Sequence, residues 1–153
     1  MPWVSKPGPA ARPNRRAELE KMLLRLLLEE TPEAVDARDK IDSEDFSDQN
    51  CRSFHKLLDY AWENHIDIKN TAFQRKAEEV GIEGLAAEIA LISFPPGDLG
   101  TLLKDTVKRV KTLKIREELE VLREKLRDLP EESEEAVAVA AHYARLIQAL
   151  SEL

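Results

Sequence analysis

The stretch Asp98–Leu129, DLGTLLKDTVKRVKTLKIREELEVLREKLRDL, constrains the fold more than any other part of the chain. It contains no proline, a single early glycine (Gly100) and many Leu, Lys, Arg and Glu, all good helix formers. Its apolar positions form two stripes. Leu99, Leu102, Leu103, Val107, Val110 and Leu113 make the first. Ile115, Leu119, Leu122, Leu126 and Leu129, spaced 4-3-4-3, make the second. At about 100° per residue the stripes point to opposite sides of one cylinder, and the phase changes between Leu113 and Ile115. A helix buried against a single body would keep its phase. The first half is therefore expected to pack on the chain before it, and the second half on the chain after it. The pattern is compatible with a continuous helix and with a break between Thr112 and Lys114.

The segments on either side supply those two bodies. Met1–Pro13 carries Pro2, Pro7, Gly8, Pro9 and Pro13, the composition of an extended linker such as one continuing a longer parent chain. With Asn14 as N-cap, a helix is expected over Arg15–Glu30, apolar on most sides through Leu19, Met22, Leu23, Leu24, Leu26, Leu27 and Leu28. Such a helix is central and buried. Thr31-Pro32 ends it, with short turns over Glu33–Arg38. After the acidic stretch Ile41–Asp48, Asp48 caps a helix Gln49–Glu63 that buries Cys51, Phe54, Leu57, Leu58 and Ala61. Asn70 or Thr71 caps the next helix, which closes at Gly81. A further buried helix is expected over Ile82–Phe94, stopped by Pro95-Pro96-Gly97. Past the long stretch, Leu129–Glu132 makes a tight connection, and Ser133 caps a last helix, Glu134–Ser151. No segment alternates with period two over strand length. The expected fold is all-α: a linker at 1–13, a bundle of five or six helices at 14–113, and a long C-terminal antiparallel helical hairpin at 114–153.

Composition limits the function classes. A chain of 153 residues, 42% hydrophobic and 35% charged, suits one globular domain with at most a small appendage. A net charge of −7 argues against nucleic acid as the main ligand, because phosphate neutralisation needs a basic surface. The single Cys precludes an internal disulfide and fits a reducing compartment. No apolar run approaches the roughly 20 residues of a membrane span, since Arg25 interrupts MLLRLLLEE, and the N-terminus lacks a signal-peptide core. A cytoplasmic protein is expected.

The chemistry-bearing residues do not assemble into a catalytic pattern. The acidic stretch from Asp42 lacks the Gly and the terminal Glu of a calcium loop, with Ser53 at its twelfth position. Cys51 and His55 share a helix face, but two ligands do not make a zinc site. His65 is placed at a helix end and His142 off the main stripe of the last helix, in solvent. There is no phosphate-binding Gly loop and no nucleophile elbow, and the carboxylates are scattered. No enzyme activity, cofactor or metal is expected. Lys104, Lys108, Arg109, Lys111, Lys114 and Arg116 form a basic run, read as a solvated face or a dock for an acidic partner in preference to a nucleic-acid site.

The last helix is the more informative feature. Ala136, Val139, Ala140, Tyr143, Ile147 and Leu150 form a stripe that can pair with Ile115, Leu119, Leu122, Leu126 and Leu129. Val137, Ala141 and Ala144 widen the apolar surface on one flank, Leu146 and Leu153 on the other. The hairpin could fold back on its own bundle to cover them. The opposed stripes favour projection, and with it docking of a partner protein. The flank residues, with Tyr143, Ile147 and Leu150, are the candidate partner-binding residues.

Four segments, in order, carry a family resemblance: RRAELEKMLLRLLLEETPE, FSDQNCRSFHKLLDYAWEN, GLAAEIALIS, and LLKDTVKRVKTLKIREELEVLREKL followed by an acidic turn and a helix ending YARLIQALSEL. From about Arg15 onward the chain resembles the C-terminal helicase-interaction domain of bacterial DNA primase, the DnaG type. That resemblance implies a helical bundle followed by a helical hairpin, with no catalysis in this segment. It implies that the hairpin tethers primase to the N-terminal domain of the hexameric replicative helicase (DnaB type) at the replication fork, while the bundle modulates helicase and priming activity. Nucleic acid would be met weakly or through the parent primase, in the nucleoid. The N-terminal domain of the replicative helicase has a similar bundle and opening, but it would lead on to an ATPase domain. The hairpin closing on YARLIQALSEL favours the primase side. A generic helical adaptor is the other alternative.

Overall fold

The computed structural model describes residues 15–153, so the linker at 1–13 and the Asn14 cap lie outside the described residues. Seven α-helices and one 3-10 turn make up the described chain, with no strand among those residues. The helices are α1 (Arg15–Leu27), α2 (Pro32–Arg38), α3 (Gln49–Glu63), α4 (Thr71–Glu79), α5 (Glu83–Ala90), α6 (Leu99–Asp128) and α7 (Glu134–Ser151), and the 3-10 turn is Ser43–Asp45.

α1 is the central helix that its sequence requires. Leu23, Leu24, Leu26 and Leu27 are buried, and the helix touches α2, α3, α5 and α6. It stops at Leu27, three residues short of the expected Glu30. The Arg38 guanidinium donates to the Leu27 carbonyl (3.2 Å) and to the Glu29 carbonyl (3.4 Å), satisfying acceptors that helix ends leave open. Arg38 also sits 4.4 Å over the Trp62 ring. Thr31 then caps α2 through the Ala34 N–H, with Pro32 in its first turn.

α3 and α4 end by the same device. In each, the second residue past the cap donates back into the helix: Ile66 N–H to the Ala61 carbonyl (2.8 Å) and Ile82 N–H to the Ala77 carbonyl (2.9 Å). The residue between must take a left-handed backbone. At Gly81 (φ 77°) that is free of strain, whereas His65 adopts φ 55°. Replacing His65 by Gly is expected to raise the thermal midpoint slightly, worth up to about 1 kcal/mol, as a melt would read.

α5 is shorter than expected. It ends at Ala90, and Leu91 is 83% exposed where burial was expected. The residue before Pro95 is pushed towards extended backbone. Ile92 and Phe94 pack on the core while Ser93 and Pro95 face out, an alternation with strand period.

α6 is a continuous helix of 30 residues, about 45 Å long at 1.5 Å per residue, capped by Asp98 through the Thr101 N–H at 3.1 Å. There is no break at 112–114, and the boundary drawn after Leu113 falls inside it. Leu103, Thr106 and Val110 are buried in its first half, Leu119 and Leu122 in its second. Every residue from Lys111 to Ile115 is half-buried, where the buried face changes sides. α6 packs on α1, α2, the 3-10 turn and α7, with Leu103 and Val110 of its first half in the core of the bundle, and among the described residues α7 packs on α6 alone. Arg16 of α1 pairs with Glu117, and Lys111 with Asp45 of the 3-10 turn at 3.3 Å.

Candidate docking surface on the last helix

Ser133 caps α7 by accepting the Ala136 N–H (3.1 Å), and Glu134 and Glu135 occupy the first turn, where the helix dipole favours carboxylates. No residue of α7 is fully buried. Half-buried positions are Ala136, Val139, His142, Tyr143, Leu146, Ala149 and Leu150. Val137, Ala138, Ala140, Ala141, Ala144 and Ile147 are exposed, Val137 at 62% and Ile147 at 44%.

This corrects the expected seam. Leu146 lies on it and Ile147 outside it, the reverse of the assignment drawn from the stripe. Two registers compete for one helix face. One runs through Ala140 and Ile147, the other through Val139 and Leu146, and the expected stripe took in both Val139 and Ala140. Val139 and Leu146 are half-buried while Ala140 and Ile147 are exposed, so the second is the one used, and it covers the larger side chain of the Val139–Ala140 pair. His142, expected in solvent, is half-buried beside this seam. The Arg123 guanidinium donates to the Tyr143 hydroxyl at 3.2 Å, holding the two helices in register. Of the candidate residues, Val137, Ala141, Ala144, Ile147 and Leu153 are exposed, while Tyr143, Leu146 and Leu150 are half-buried. Val121 of α6, half exposed, adds an apolar position that the stripe analysis did not single out.

The rest of the polar inventory is structural. Cys51 is fully buried, and burial pushes its thiol well above the ordinary range, so it stays protonated and unreactive. His55 is fully buried, its Nδ1 lying 2.8 Å from the Ser43 hydroxyl oxygen. Glu20, unremarked in the sequence, is a fully buried carboxylate. It accepts from Ser47 N–H (3.0 Å), the Ser47 hydroxyl (2.7 Å), Asp48 N–H (3.0 Å) and Arg16 Nε (3.1 Å). Among the described residues no group of three His, Cys, Asp or Glu side chains could hold a metal ion, and no helix is long and apolar enough to cross a membrane. In the basic run, Lys111 is spent on Asp45, while Lys104, Lys108, Arg109 and Arg116 are exposed.

No protein-family model, curated protein or solved structure matches the chain.

The outer face of α7 is thus a row of small and branched apolar side chains on a helix held from one side only. Such a face can accept a second helix at close range, because alanines let the axes approach to about 8–10 Å.

Proposed function

We propose that this chain is a non-catalytic docking domain of the kind found at the C-terminus of bacterial primase. In this reading α1–α5 and the first half of α6 form the bundle. The second half of α6 and α7 form a hairpin that binds the N-terminal domain of the replicative helicase. The observation that supports it most is the outward apolar row Val137, Ala141, Ala144 and Ile147, on a helix that among the described residues packs on nothing but α6. The order of the four sequence segments supports the helicase as partner. A helicase N-terminal domain or an unrelated adaptor would carry the same apolar face but not the same partner.

A titration against the helicase N-terminal domain, run beside a thermal melt, tests the reading. Ile147→Glu should keep the melting temperature, an exposed substitution costing within about 0.5 kcal/mol. It should weaken binding at least tenfold, about 1.4 kcal/mol, by placing an unpaired carboxylate in a desolvated contact. Leu146→Ala should instead lower the melting temperature, through a loss of about 1–2 kcal/mol of unfolding free energy for a half-buried leucine. Wild-type affinity in Ile147→Glu would move the contact off this face. No binding by the wild-type chain would remove the helicase reading.

A further inference from the structure

A second surface shares no residue with the hairpin. α4, α5 and the C-terminal end of α1 enclose an open groove of about 860 Å³. Its floor is apolar, built from Phe54, Ile68, Phe73 and Ala77, with Phe54 and Phe73 edge to face at 6.2 Å between centroids. Ala86, Ala87 and Ala90 of α5 make one wall. A wall of alanines leaves room for a helix to lie along the groove, where leucines or phenylalanines would close it.

The rim is predominantly acidic. Glu30, Asp67, Glu78 and Glu83 border the groove, all exposed and none in an ion pair among the described residues. Against them stands Lys69. The other cation at the groove, Arg25, is engaged by Glu29 at 2.8 Å and lies 4.7 Å over the Phe94 ring. Unpaired carboxylates around an apolar floor favour an occupant with an apolar stripe flanked by cations, and they repel an acidic one.

We propose that this groove docks a basic amphipathic helix of a partner protein, apolar side chains on Phe73 and Ala77 and lysines or arginines towards Glu30, Glu78 and Glu83. The site is independent of the helicase reading and uses none of its residues.

The probe is a synthetic amphipathic peptide with a leucine face and lysine flanks, titrated into the full chain by fluorescence anisotropy and amide chemical-shift mapping. A charge-reversed peptide with glutamate flanks is the control. Binding is expected to shift α4, α5 and the segment 66–69. The triple variant Glu30→Lys, Glu78→Lys, Glu83→Lys should bind at least about tenfold more weakly, and Ala87→Trp, which fills the groove without changing charge, should act likewise. The triple variant Glu124→Lys, Glu131→Lys, Glu152→Lys, none of which lines the groove, should bind like the wild type, as should Ile147→Glu. Equal weakening by both triple variants would reduce the attraction to the net charge of the chain and overturn the proposal. So would shifts confined to α7, or displacement of Trp3 and Val4 signals, which would assign the groove to the chain's own first residues.

Discussion

Glu20→Ala should lower the unfolding free energy by roughly 3 kcal/mol, the lower end of what breaking a buried charged network costs. The carboxylate is wholly enclosed and gathers two backbone N–H groups, a hydroxyl and a guanidinium. Those N–H groups belong to Ser47 and Asp48, at the N-terminus of α3, where unpaired amides and the helix dipole both favour an anion. Truncation strands these donors, at about 1–3 kcal/mol for each one that water cannot reach. Two observations hold the estimate down: Ser47 is itself exposed, and Arg16 keeps Glu117. Glu20→Gln retains the size and one acceptor oxygen and should lose less, about 1–2 kcal/mol. Urea unfolding followed by circular dichroism reads both, with the midpoint lowered and the slope unchanged. An unshifted midpoint for Glu20→Ala would mean that α1 and α3 are joined by apolar packing alone.

Glu20 also marks where sequence reading stopped. Helical periodicity located α1, α3, α4, α6 and α7, with caps at Asp48 and Ser133 and Asn70 as one of two positions for the third, because each cap is a short-range bond between neighbours in sequence; the Asp98 cap was not singled out. It located the change of face on α6 because a stripe is a property of one helix. It had no means of pairing a glutamate with two amides 27 and 28 residues away. The early stop of α1 has the same origin: its carbonyls are satisfied by Arg38, 11 residues on. The miss at α5 is local. Apolar residues at Leu91, Ile92 and Phe94 fit a helix and an alternating strand equally well over so short a span, and Phe94-Pro95 decides for the extended form.

The candidate docking face was half legible. That α7 carries more apolar surface than one seam can use follows from counting its side chains. Which of Leu146 and Ile147 lies on the seam does not, since both complete a 4-3 or 3-4 repeat with Tyr143 and Leu150. The stripe took in both Val139 and Ala140, and only with α6 in place beside them is Val139 the half-buried one and Ala140 exposed. The groove between α4 and α5 was not legible at all. Its floor and rim come from four separate segments, each unexceptional alone.

Lowering the pH from neutrality should destabilise the fold through His55, with a slope approaching ~1.4 kcal/mol per pH unit for one proton. His55 is enclosed between the Phe46 ring at 5.1 Å and the Trp62 ring at 6.3 Å, and its Nε2 has no hydrogen-bond partner among the described residues. Whichever tautomer takes up the proton, the charged ring carries a hydrogen on that nitrogen with nothing to receive it, and a second one on Nδ1. Burial therefore holds the imidazole below its ordinary pKa, against the attraction of Asp59, Asp42 and Asp45. The unfolded chain takes up the proton near the usual ~6.5 and the folded chain only at lower pH. Between those two values the unfolded state binds more protons, so stability present above ~6.5 is lost as pH falls. Asp59, whose Oδ2 lies 3.8 Å from His55 Nδ1, is raised by its own burial and acts in the opposite sense. A carboxyl with a raised folded pKa loses its contribution as pH rises through that value, so it opposes the histidine only in the more acidic range. His55→Phe keeps an aromatic ring between Phe46 and Trp62 and removes the titrating group. Urea midpoints measured from pH 7 down to about pH 5 should fall for the wild type and stay nearly level for His55→Phe over the range where histidine titrates. The other two histidines, His65 and His142, remain in that variant. An undiminished slope would transfer the acid sensitivity to them or to the carboxylates, and would show that the cavity around His55 accepts the charged ring.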